Sequence, residues 1–377
     1  MKHTYIISIN RIPMSREPIE YKFRQTACVL TCAKDAAAVR FTMGTKKTHE
    51  DLISFRVDLV KDAMRKMYLL HAMRFDTRLR VRSITVTIDG ESQTYEQGYP
   101  GFPFLYSMLT ARSLELPDGW RDREFLTRVL TATKSKTDSD HRYACLFSFL
   151  AGTGKVYESE KFTCYWTAIN ALYNYIFDCA NPFHTARGKI KFDDTAFNKQ
   201  VLKGDALGLS ILLRLTGSGS KLSDKSERDS FRQQYGATKV ALRSICRDDL
   251  PELYRQMLAH RADPHWFPDG PLGEHLKACC TRTGCSCWGF LLFEYAYYIR
   301  CHYLHGEKTT ILFTAATDPE LAAFRSLNVF LGEFLKEIIP EIFRDDWFTA
   351  ETYRAICPPK KATLGSRRRA ICTAPWP

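Results

Sequence analysis

The stretch Arg80-Val-Arg-Ser-Ile-Thr-Val-Thr-Ile88, closed by Asp89-Gly90, decides the class of the N-terminal region. Apolar residues alternate with basic or polar ones, which is the two-residue period of a half-buried strand. Asp-Gly directly after such a run is a strong turn signal. Working outward from it, Thr4 to Ile9 and Ala38 to Met43 also read as strands. Between them, Glu50 to Phe75 carries an apolar stripe through Leu52, Phe55, Leu59, Ala63, Met67, Leu70 and Met73, in steps of three or four, and predicts one long amphipathic helix. The Gly- and Pro-rich segment Gln97 to Phe104 closes this region. Strands and a helix mixed in this way predict a small α+β module over residues 1–115.

From Phe104 onward the helical period dominates. Helices are expected at Phe104 to Ser113, Arg123 to Thr133, Asp138 to Ala151, Glu158 to Phe177 and Asp194 to Leu215. More follow at Tyr235 to Cys246, Leu250 to Ala259, Gly289 to His305 and Pro319 to Phe343. The polar run at 217–230 reads as a loop. The expectation is α+β overall, with a larger all-α bundle over 116–346. The tail at 347–377, with Lys360-Lys361 and Arg367 to Arg369, reads as basic and disordered.

The whole chain has 377 residues, which favours two domains over one. Its 54 Lys and Arg against 42 Asp and Glu leave a formal charge of +12, which favours a polyanionic partner such as RNA. No apolar run approaches the roughly 20 residues of a membrane helix, and the N-terminus lacks the apolar core of a secretory signal. Most of the 13 cysteines sit singly in apolar patterns, as at Cys145, Cys164, Cys179, Cys246 and Cys301. They read as reduced thiols that behave as small buried hydrophobes in a cytoplasmic protein.

The run Tyr295-Ala-Tyr-Tyr-Ile-Arg-Cys-His-Tyr-Leu-His-Gly-Glu-Lys308 carries most of the chemistry. Gly306 marks a helix end, so Arg300 would fall in the penultimate turn and His305 at the C-terminus. A histidine can give and take protons near neutrality, and an arginine can hold a phosphate by two parallel hydrogen bonds. Together they suffice for RNA cleavage in which the ribose 2′-OH is the nucleophile. The spacing alone is weak, because Arg255 to His260 repeats it and Arg65 to His71 nearly does. Those two pairs read as solvated helix faces, each with a surface histidine.

That run and the upstream segment Phe162-Thr-Cys-Tyr-Trp-Thr-Ala-Ile-Asn-Ala-Leu-Tyr-Asn174 together resemble the HEPN superfamily, and more narrowly the Apea-like HEPN proteins of prokaryotes. The resemblance covers roughly residues 158–343; residues 1–115 resemble nothing comparable. It implies an all-helical bundle that dimerises and cleaves RNA without a metal ion or other cofactor, with Arg300 and His305 as the catalytic pair. Such proteins serve in phage defence or as toxins. The polar residue that usually follows the Arg is here Cys301, with His302 next to supply the missing group. Asn170 and Asn174, one stripe with Trp166, either orient Arg300 or a phosphate or bond between bundle helices. Glu294 either orients Arg300 or is a solvated surface residue.

Tyr298 and Tyr303 either stack on bases or pack in the core. In the N-terminal module, Lys61, Arg65 and Lys66 on the helix and Arg78, Arg80 and Arg82 on the strand are candidates to track RNA phosphates. That module is also the expected site for a regulatory protein or nucleic-acid trigger. Cys279, Cys280, Cys285 and Cys287 are spaced poorly for zinc and read as a loop of thiols, so no metal site is expected. Two alternatives stay open: a catalytically silent RNA-binding or adaptor protein that dimerises through the bundle, and a structural helical protein with the cysteines as a metal staple.

Overall fold

A computed structural model describes residues 2–10, 18–54, 56–75, 81–96, 116–132, 141–186, 250–260, 266–283, 296, 299–300 and 318–350. The chain divides into two compact units. Unit 1 takes 1–139, 146–156 and 340–345; unit 2 takes 140–145, 157–339 and 346–377.

Unit 1 is built on a six-stranded antiparallel sheet. Its strands are β1 (His3–Ile9), β2 (Ile19–Phe23), β3 (Thr26–Ala33), β4 (Ala36–Met43), β5 (Ser83–Ile88) and β6 (Glu91–Glu96), in the order β2-β3-β4-β1-β5-β6. One face is apolar because the strand period places like residues in register. Leu30 pairs with Val39, Val39 with Ile7 and Ile7 with Val86; the next row runs Cys28, Phe41, Tyr5, Ile88. Tyr5 and Phe41 stack at 5.4 Å.

The Asp89-Gly90 turn is present, with both residues at positive φ (48° and 96°), as a two-residue hairpin requires. Asp89 also accepts hydrogen bonds from Thr4 N–H at 2.8 Å and the His3 ring at 2.6 Å, which pins the turn to β1. The His3 bond first and the Thr4 bond second hold its carboxyl below the usual range. The strand itself is shorter than expected: it begins at Ser83. Asn10 Oδ1 takes the N–H groups of Arg82 (2.7 Å) and Ser83 (3.3 Å), so Arg82 precedes the ladder. Strands β2, β3 and β6 were not expected from the sequence.

The predicted helix 50–75 is two helices, α1 (His49–Ile53) and α2 (Asp58–Phe75). A capping box starts α1: Thr48 Oγ1 accepts Asp51 N–H, and Asp51 accepts Thr48 N–H. Ser54 ends it, donating its N–H to Glu50. The apolar stripe is buried as expected from Leu52 to Met73, with Phe55 outside the described residues. Helix α2 packs on β3 and β4, and α1 on β5.

The burial of α2 extends beyond the stripe. Asp62, Lys66 and His71 are also buried. Lys66 Nζ lies 3.2 Å from Asp62 Oδ2 and 4.1 Å from the centre of the Tyr21 ring. His71 Nε2 lies 2.7 Å from Lys34 O, so this histidine is a core residue and not the surface group expected. Burial pushes the Cys28 thiol up, and pushes that of Cys32 up to about 12.

Beyond the sheet, a 3₁₀ turn (Asp118–Arg121) and α3 (Arg123–Thr131) follow, and α3 packs on β2. Trp120 contacts Phe125 and Phe149 at ring separations of 5.4 and 5.1 Å, and Phe125 meets Phe343 edge-on at 6.3 Å.

The described helices that follow are α4 (His141–Thr153), α5 (Glu158–Ala186), α6 (Leu250–Ala259), α7 (Pro271–Thr283) and α8 (Asp318–Ile342). In unit 2, α5 and α8 meet closely. Phe162 and Phe324 lie 5.3 Å apart, and Asn328 donates to Glu158 O at 2.8 Å and to Glu158 Oε2 at 2.7 Å. A Cβ on Gly332 would come within 3.3 Å of the Tyr165 ring. Burial pushes the Cys145 thiol strongly up, as for an inert core residue, whereas Cys164 and Cys179 are only half-buried. No helix among the described residues is long and apolar enough to cross a membrane.

Gly273 in the first turn of α7 sits against the Pro268 carbonyl, with no room for a Cβ. Gly273→Ala therefore forces backbone apart, and overpacking of this kind costs about 1–3 kcal/mol. The expected result is a lower denaturation midpoint in urea at unchanged slope; a midpoint equal to wild type would show that the turn yields freely.

Candidate functional site

Helix α5 carries the described part of the candidate site. From Ala168 to Ile176 it is buried, with two exceptions, Asn170 and Asn174, which are half-buried. Such a segment would gain most from apolar residues, and amides there cost free energy unless they are bonded. Asn170 Oδ1 is shielded from solvent and, among the described residues, has no hydrogen-bond partner. Steps of four residues align Asn170, Asn174 and Asp178 on one side of the helix. Thr163 and Thr167, exposed earlier on α5, bond back to the carbonyls of Ser159 (3.0 Å) and Thr163 (2.8 Å).

At the far end of that stripe, His141 Nδ1 lies 3.0 Å from Asp178 Oδ2, each side chain 29% exposed. Beside this pair the Arg142 guanidinium lies 5.3 Å from the centre of the Tyr175 ring, and Tyr175 stacks on Trp347 at 5.9 Å. Sequence reading missed His141, Asp178, Arg142 and Trp347. The continuation of the Asn170–Asn174 step to Asp178 was the one signal that could have found them. Their partners come from α4 and the segment after α8, distant in sequence.

Arg300 is half-buried in helical backbone with Ile299 and the buried Ala296, as its place before Gly306 predicts. Its companions Glu294, Tyr298, His302, Tyr303 and His305 lie outside the described residues, as do Arg78, Arg80 and the side chains of Cys279, Cys280, Cys285 and Cys287. Arg300, Asn170 and Asn174 all belong to unit 2. Among the described residues no group of three or more His, Cys, Asp or Glu side chains could hold a metal ion.

The proposed phosphate-tracking residues belong to unit 1 and separate there. Lys61 and Arg82 are exposed and Arg65 is half-buried, but Lys66 is buried against Asp62 and cannot meet a phosphate. Lys61 and Arg24 share Asp58 at 3.9 and 4.0 Å, exposed pairs worth little in water. The second Arg-x4-His pair is occupied locally: Arg255 Nη1 lies 2.8 Å from Glu252 Oε2, and the His260 ring stacks on Trp266 at 4.6 Å.

Comparison of the chain with protein-family models, with curated proteins and with solved structures finds no match.

Proposed function

We propose that the chain is a metal-independent endoribonuclease of HEPN type, acting as a homodimer in the cytoplasm, in phage defence or as a toxin. Arg300 stabilises charge on the phosphate and His305 transfers a proton. One Arg and one His leave one proton-transfer group short of the two that phosphodiester transfer uses, and a twofold axis would supply two of each. The reading extends the Arg300/His305 spacing and the Phe162 to Asn174 helix. What supports it in the fold is the pair of amides, Asn170 and Asn174, kept on an otherwise buried stretch of α5 in the same unit as Arg300. The N-terminal unit takes the regulatory role, with Lys61, Arg65 and Arg82 as its cationic contacts and Arg80 beside them in sequence.

The test is incubation of purified protein with end-labelled RNA in EDTA. Cleavage should persist, leaving a 2′,3′-cyclic phosphate on the 5′ fragment and a free 5′-OH on the 3′ fragment. Replacing the 2′-OH at the cut site by hydrogen should abolish it. RNA left intact across diverse sequences would shift the assignment to a silent RNA-binding or adaptor protein.

A further inference from the structure

We draw no further inference here: the strongest candidate, the second, polar face of the six-stranded sheet, where Thr31, Ala38 and Thr85 are buried in one row across β3, β4 and β5, carries none because nothing in the structure shows what covers it.

Discussion

His305→Ala should lower RNA cleavage by roughly 10²- to 10⁴-fold, the usual contribution of a positioned acid–base group. Arg300→Ala should cost about 10²- to 10³-fold through lost stabilisation of charge on the phosphate. The fitting control is the other Arg-x4-His pair. Arg255 and His260 are exposed and held by Glu252 and Trp266, so Arg255→Ala and His260→Ala should leave cleavage at the wild-type rate. Single-turnover rates on one labelled RNA decide the matter. Equal behaviour of the two pairs would remove Arg300 and His305 from the mechanism and favour the adaptor reading.

The second large effect lies in the sheet unit. Lys66 and Asp62 are 5% and 6% exposed, and their charges meet at 3.2 Å. Lys66→Met leaves the Asp62 carboxylate buried without its counter-charge. Breaking a buried pair from one side costs about 3–5 kcal/mol, a large share of the stability of an ordinary domain. Replacing both, as Asp62→Leu with Lys66→Met, removes the charge and the need to desolvate it, and is expected to return to within about 1 kcal/mol of wild type. Urea denaturation of the three proteins gives the comparison. A single variant as stable as wild type, or a double variant worse than the single, would mean that the pair is not insulated from water as its burial implies.

The same pair shows where pattern reading stops. The apolar stripe of α2 was legible because a 3.6-residue period is local, and Leu59, Ala63, Met67, Leu70 and Met73 are buried as that period requires. Lys66 looked like a phosphate ligand because charge normally faces water. Its burial depends on Tyr21 of β2 and on the acid one turn earlier, and the first of these is a long-range contact. Strands β2 and β3 were missed because their turns carry no punctuation: Phe23 pairs with Thr26 across Arg24-Gln25, and Ala33 with Ala36 across Lys34-Asp35. Arg24 takes φ of 54° there, a conformation usually marked by Gly or Asn. The break between α1 and α2 was hidden because the apolar stripe continues through it.

The sequence by itself determined the α+β character of the N-terminal region, the helical period of the rest, and the placement of Arg300 in a helix. Each is a property of neighbours within a few residues, where periodicity and turn chemistry act. The tertiary structure alone decided the strand order β2-β3-β4-β1-β5-β6, because register depends on which apolar faces meet. It also decided that Asp178 meets His141. That last contact spans α4 and α5, and only the packing of helices brings an acid from one to the imidazole of the other.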